Sequence, residues 1–177
     1  MKIADLEFEP LIAYSEIEKR TKELAAQLNE DFADKFPIFV GVLNGSFLFM
    51  ADLLKELTMP CEVAFTKVSS YHGGLKSTRI IRDDYDLKVP IEGRHVVIIE
   101  DIVDTGHTLT YLLSKLEVRK PASLTVCTLL LKPEAIEVSI EELRYVAFEI
   151  ENKFVVGYGL DYRELGRNLK GIYKRVV

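Results

Sequence analysis

Three carboxylates fall within five positions of this chain, at Glu100, Asp101 and Asp104, and Thr105-Gly106-His107-Thr108-Leu109 follows directly. Adjacent carboxylates suit ribose hydroxyls or a hydrated Mg2+. Small hydroxyls and successive backbone N–H groups at the positive end of a helix suit a phosphate. A phosphorylated sugar with a metal satisfies both. The plain alternatives are a solvated strand end at Glu100-Asp101 and a helix cap at Asp104 or Thr105. Three acids so close together, followed by Thr-Gly-x-Thr, favour the ligand.

Such a set works only where rigid elements hold it. The apolar run from His95 reads as a buried strand, and a helix opens at Thr108 and runs to Arg119, ahead of Pro121. The acids therefore close a strand and precede a helix N-terminus, where open α/β sheets bind ligands. Upstream, Ser15-Glu16-Ile17-Glu18 reads as a capping box opening a helix to about Ala33. Ile38 to Leu43 and Glu62 to Val68 read as strands flanking a helix over Phe47–Leu57. Further strands are predicted at Arg79–Arg82, Ser123–Leu131, Tyr145–Phe148, Val155–Tyr158 and Ile172–Arg175. This alternation predicts a mainly parallel, doubly wound α/β sheet. The last forty or so residues carry short strands and few helices. They are predicted to form a small hood over the ligand crevice, so that residues 1–177 make one domain with a hood from about 133–177.

Bulk properties narrow the class. A chain of 177 residues that is 48% hydrophobic builds a real core. No apolar run reaches ~18 residues, so no membrane span is expected. The acidic Met1–Pro10 segment lacks the features of a signal peptide. Cys61 and Cys127, each in a predicted apolar strand, read as buried free thiols of a cytoplasmic protein. A net charge of −5 argues against broad nucleic-acid binding.

Four other stations carry both a chemical and an ordinary reading. Leu43-Asn44-Gly45-Ser46 is a second strand-to-helix loop, a holder of pyrophosphate or a plain tight turn. Ser70-Tyr71 opens a polar, Gly-containing stretch over residues 69–77, a mobile loop that closes on substrate or an ordinary hairpin. Within it, Gly74-Leu75-Lys76-Ser77-Thr78 lacks the spacing of a P-loop. Lys132 ends an apolar strand, where a lysine ordinarily just reaches solvent. Phe154 to Leu160 reads, taken alone, as a core strand with a bend at glycine.

The segment Glu100-Asp101-Ile102-Val103-Asp104-Thr105-Gly106 resembles the phosphoribosyl-pyrophosphate (PRPP) motif of type I phosphoribosyltransferases, in the form of the bacterial hypoxanthine-guanine branch. Glu151-Asn152-Lys153-Phe154-Val155-Val156-Gly157-Tyr158-Gly159-Leu160-Asp161-Tyr162 resembles the purine-binding hood of that branch. The resemblance runs from about Val40 to Arg167 with its stations in order. It implies Mg-dependent transfer of 5-phosphoribosyl from PRPP to N9 of hypoxanthine or guanine, giving IMP or GMP and pyrophosphate. Glu100 and Asp101 would hold ribose hydroxyls and the hydrated metal. Asp104 would lie near purine N7 as the catalytic carboxylate, with Asp104, Thr105, Gly106, His107, Thr108 and Leu109 gripping the 5-phosphate. No side-chain role falls to His107.

Pyrophosphate would meet Leu43, Asn44, Gly45 and Arg167, although many relatives have Lys where this chain has Asn44. Ser70 and Tyr71 would cover the site. Lys132 would donate to the purine 6-oxo group, Phe154 would stack on the base, and Val155 would bind its edge through the backbone. Lys153 and Asp161 join the purine set. Asp161, with Glu100 and Asp101, would hold Mg2+, or Mn2+ in its place. A homodimer or homotetramer is implied. The rival readings are an RNA-binding regulator of the same fold, which needs a basic face, an enzyme acting on a pyrimidine or adenine, and a plain α/β signalling domain.

Overall fold

Alternate side chains of the central strands face two different cores, and this period of two fixes the layers. The computed structural model describes the backbone of residues 1–72 and 79–176, with side chains described outside 69–84. In chain order the elements are β1 (Lys2–Ile3), β2 (Leu6–Ile12), α1 (Tyr14–Asp31), β3 (Ile38–Val42), α2 (Phe47–Glu56), β4 (Glu62–His72) and β5 (Arg79–Tyr85). They continue with β6 (His95–Val103), α3 (His107–Glu117), β7 (Ser123–Leu131), a 3-10 turn at Pro133–Ala135, β8 (Leu143–Glu149), β9 (Val155–Val156) and β10 (Ile172–Arg175). The large sheet has the order β5-β4-β3-β6-β7-β8, parallel except for the antiparallel β4–β5 pair. Phe39, Val97, Ile99, Cys127 and Leu129 pack with α1 and α2 on one face. Ile38, Val40, Val96, Ile98 and Val126 pack with α3 on the other. Burying each such side chain contributes on the order of 1.5–3 kcal/mol.

The helices form as their spacing demands. Ile17, Thr21, Leu24, Ala25 and Leu28 make the buried stripe of α1. The capping box expected at Ser15–Glu18 lies two residues earlier. Ala13 is the N-cap, and its N–H donates to Glu16 Oε2 at 2.9 Å, so only the backbone-facing half of such a box exists. Helix α3 starts behind Gly106, whose φ of 89° is a left-handed conformation that glycine tolerates. Among the described residues no helix is long and apolar enough to cross a membrane.

The hood differs from the expectation in its membership. A separate four-stranded antiparallel sheet runs β1-β2-β10-β9. Its first two strands come from the N-terminus. Conversely, β8 lies within the expected hood but pairs parallel with β7 and extends the large sheet. A single 3-10 turn and an extended link suffice for that crossover, so the lack of a helix there did not forbid another parallel strand. Residues 69–72, expected as loop, continue β4 and pair with β5, from Ser69↔Arg82 to His72↔Arg79. The rest of that expected loop, residues 73–78, lies outside the described residues. Cys127 is buried in β7, but Cys61 precedes β4 and is exposed, which corrects its reading as a core thiol.

Candidate active site

Strand register decides which loops meet. His95 pairs with Ser123 and Val103 with Leu131, at constant offset, so Asp104 and Lys132 emerge side by side at the strand ends. Lys132 Nζ lies 3.1 Å from Asp104 Oδ2. The lysine is only 6% exposed, whereas the Asp104 side chain is half exposed. On the other flank β3 pairs with β6 from Ile38↔Val96 to Gly41↔Ile99, which carries the Leu43-Asn44-Gly45 loop to Glu100 and Asp101. A Cβ at Gly45 would stand 1.5 Å from Asp101 Oδ2, so the loop backbone can approach only as glycine. The Leu43–Asn44 peptide is cis.

These loops line a cavity of about 640 Å3 that includes residues 43–45, 100–109, Asp161 and Arg167. A second cavity of about 250 Å3 shares Asp101, Ile102, Asp104 and Asp161 and adds Lys132, Phe154, Val155 and Leu160. The two are halves of one cleft at the C-terminal ends of parallel strands. At its N-terminus α3 has no side-chain cap, and its first residues lie along the cavity wall. Its N-terminal partial positive charge thus lies beside the cavity, where it would favour an anion.

Glu100 and Asp101 set the electrostatics of the middle. Burial, reinforced by the neighbouring Asp101 charge, holds the Glu100 carboxyl well above the usual carboxylate range. Burial also raises Asp101, opposed by hydrogen bonds that include the Ile102 N–H to Oδ1 at 2.9 Å. Among the described residues no cationic side chain forms an ion pair with either. Two crowded hard oxygens of this kind suit a divalent cation. No group of three His, Cys, Asp or Glu among the described residues converges tightly enough to hold a metal ion unaided. Mg2+ does not require one, since it commonly takes one or two carboxylates and completes its shell with water and substrate oxygens.

At the hood side Phe154 is not a core strand residue. It precedes β9, is 44% exposed and is braced by Tyr162, edge-on at 5.7 Å, and by Phe8 at 6.3 Å. Val155 stands opposite Lys174, next to the bond from Arg175 N–H to Phe154 C=O. Antiparallel alternation therefore points the N–H and C=O of Val155 away from β10, on an edge strand beside the cleft. Asp161 Oδ1 is 2.7 Å from Arg167 Nη2, and its Oδ2 accepts the Glu164 N–H at 2.8 Å. A Cβ on Gly159 would meet the Gly45 carbonyl oxygen at 1.9 Å, which shows how closely the hood sits on the Gly45 loop.

Not every expected residue arrives. Lys153 does not line the cleft; its Nζ pairs with Glu151 at 2.7 Å, because both lie in the exposed turn before β9. His107 contributes position but turns its ring to Glu137, with Nε2 2.7 Å from Oε2. The backbone of Ser70 and Tyr71 lies in β4, and their side chains lie outside the described residues. The sequence reading missed Ile102 as floor of both cavities, Phe8 as a brace for Phe154, and Glu164 beside Arg167. Only the last left a signal, an acid three residues before a basic site residue.

Residues 13–163 match the family model described as phosphoribosyl transferase domain. The chain is 48% identical over 169 residues to a hypoxanthine-guanine phosphoribosyltransferase of Streptococcus pneumoniae, covering 94% of this chain and 93% of the relative. It is 44% identical over 170 residues to a hypoxanthine phosphoribosyltransferase of Haemophilus influenzae, covering 94% of each. The crystal structure of a hypoxanthine phosphoribosyltransferase from Staphylococcus aureus superposes with a TM-score of 0.90 at 45% identity, over 97% of this chain and 92% of that one.

Proposed function

The chain belongs to the phosphoribosyltransferase family, and we propose that it transfers 5-phosphoribosyl from PRPP to N9 of hypoxanthine or guanine, a step of purine salvage. IMP or GMP and pyrophosphate are the products. The observation that carries this reading is the buried Lys132 paired with Asp104 in the smaller cavity, which the half-open Phe154 also lines.

The bond from C1′ to the pyrophosphate oxygen breaks, and a bond from C1′ to purine N9 forms. The incoming base gives up one proton. Asp104, placed near N7, is the carboxylate that handles it. Lys132 has three donors, so its ammonium keeps Asp104 while donating to the 6-oxo oxygen. Phe154 covers one face of the base and the backbone of Val155 meets its edge. Glu100 and Asp101 take the ribose hydroxyls and put negative charge beside the cation-like ribosyl centre. Residues 104–109 grip the 5-phosphate, while Leu43, Asn44, Gly45 and Arg167 receive pyrophosphate. Asn44 serves there through its backbone, and Ser70 and Tyr71 close over the site. Asp161, Glu100 and Asp101 are the oxygens on offer to Mg2+, or Mn2+ in its place, which supplies positive charge for the departing pyrophosphate.

The chain reads as one domain whose hood is the four-stranded sheet. Two free cysteines suit a reducing compartment, and the cytoplasm is the proposed location. A homodimer or homotetramer is the proposed assembly, with exposed Phe47, Val63 and Phe65 as apolar surface for it to cover. No membrane or nucleic acid is involved. The decisive experiment is product formation from PRPP with hypoxanthine, guanine, xanthine and adenine, each with Mg2+ and after EDTA treatment. Metal-dependent IMP and GMP formation with negligible AMP is expected. Adenine use within tenfold of hypoxanthine would overturn the base assignment.

A further inference from the structure

Tyr162 and Leu165 exchange backbone hydrogen bonds at 2.9 and 3.0 Å, which makes Arg163 and Glu164 the two central residues of a hairpin turn. Both have positive φ, 53° and 63°. Turns of this kind are ordinarily filled by Asn, Asp or Gly, because other residues are strained there. This chain instead spends the turn on two long charged side chains. Strain retained beside a functional site points to a task.

The contacts of Glu164 define that task. Its N–H donates to Asp161 Oδ2 at 2.8 Å, and its Oε2 accepts from Arg167 Nη2 at 3.0 Å. The same Arg167 nitrogen is 2.7 Å from Asp161 Oδ1, and Nη1 donates to the Gly159 carbonyl at 2.9 Å. Asp161 and Arg167, the groups proposed for the cation and for pyrophosphate, thus neutralise each other through a shared clasp. The Glu164 side chain is 78% exposed, so its ion pair contributes little to folding.

We propose that Glu164 is a positioning residue for the pyrophosphate end of the cleft. On binding of pyrophosphate with its cation, Asp161 would turn from Arg167 to the cation and Arg167 would turn to the anion. Glu164 keeps both aimed during the exchange, Asp161 through its backbone N–H and Arg167 through its carboxylate. The inference rests on the phosphoribosyltransferase reading.

The test compares wild type, Glu164→Gln and Glu164→Gly by calorimetric titration with pyrophosphate in MgCl2 and, separately, with IMP, alongside thermal melting. Both variants are expected to bind pyrophosphate about fivefold more weakly and to bind IMP as wild type does. Tm is expected to hold in Glu164→Gln and to hold or rise in Glu164→Gly, which relaxes the turn. Unchanged pyrophosphate affinity in both variants overturns the proposal. So does weaker binding of both ligands with a fallen Tm, the mark of a merely structural residue. Wild type that binds IMP but not pyrophosphate also overturns it. Failure of wild type to bind IMP instead sinks the underlying functional reading.

Discussion

Asp104 and Lys132 are each other's partner before any substrate arrives, and this sets what their replacement should do. An exposed carboxylate that only capped α3 would be dispensable for turnover. As the proton-handling group, Asp104 predicts that Asp104→Asn lowers kcat roughly 10²–10⁴-fold, with the PRPP KM changed less. Steady-state kinetics with PRPP and hypoxanthine varied in turn checks this. Lys132 is a buried donor, and in its proposed role adenine would face it with another donor at position 6. Sites that hydrogen-bond a substrate group reject an analogue lacking it by roughly 10⁴–10⁵-fold. Lys132→Ala is therefore expected to lose most of its kcat/KM for 6-oxopurines. Unchanged hypoxanthine turnover in that variant would remove the role given to the lysine and leave the fold untouched.

The elements place the hood with the same economy of contact. Phe154 sits ahead of β9 with nearly half its surface open, so truncating it removes a wall of the smaller cavity, the proposed purine site, and little of the core. Base stacking on an aromatic ring contributes on the order of 1–3 kcal/mol in nucleic-acid sites. Phe154→Ala should thus raise the purine KM roughly 5- to 150-fold with a near-native melting curve. Gly159 is the opposite case. Its φ of +102° and the Gly45 carbonyl 1.9 Å from an added Cβ leave no room for a side chain. Gly159→Ala is expected to lower Tm and to weaken pyrophosphate binding together, because the hood must lift off the Gly45 loop. Circular-dichroism melts and pyrophosphate titration of the same sample read both effects.

Across the whole molecule, two buried tyrosines tie distant segments. Tyr158 O–H donates to Asp52 at 2.7 Å, joining hood to α2, and Tyr145 O–H donates to Asp31, joining β8 to α1. Burial first, then the carboxylate partner, pushes both phenols up from their ordinary value of 10.0. The folded protein therefore keeps protons that the unfolded chain releases above about pH 10. The stability these groups contribute is fully present below that pH, begins to fall above it, and is lost as pH rises through the higher values that the folded protein imposes. Thermal melts from pH 8 to 11 should show Tm falling beyond about pH 10, with a shallower fall in the Tyr145→Phe, Tyr158→Phe double variant. Equal slopes would mean that neither phenol is protected by the fold.

The sequence alone determined the chemistry that local spacing controls. Acids near the end of an apolar strand, a Thr-Gly turn and an opening helix point to a phosphate and ribose site from local pattern alone, because helix N–H groups and strand ends are local features. The start of β6 and both ends of β7 followed from the same local patterns, whereas β6 runs on past Glu100 and Asp101 to Val103 and α3 spans His107–Glu117 rather than Thr108–Arg119. Tertiary structure decided what depends on partners far along the chain. The constant β6–β7 register put Lys132 on Asp104, and the β3–β6 register put Gly45 against Asp101. Neither offset is written in either strand, since register is a property of the pair. The hood took β1 and β2 from the N-terminus and gave up β8 to the large sheet, choices that short strands leave open until a neighbouring edge is available. The pairing of Lys153 with Glu151 and of Glu164 with Arg167 was settled by the fold for the same reason: a charge in the sequence has no address until the fold supplies its nearest opposite charge.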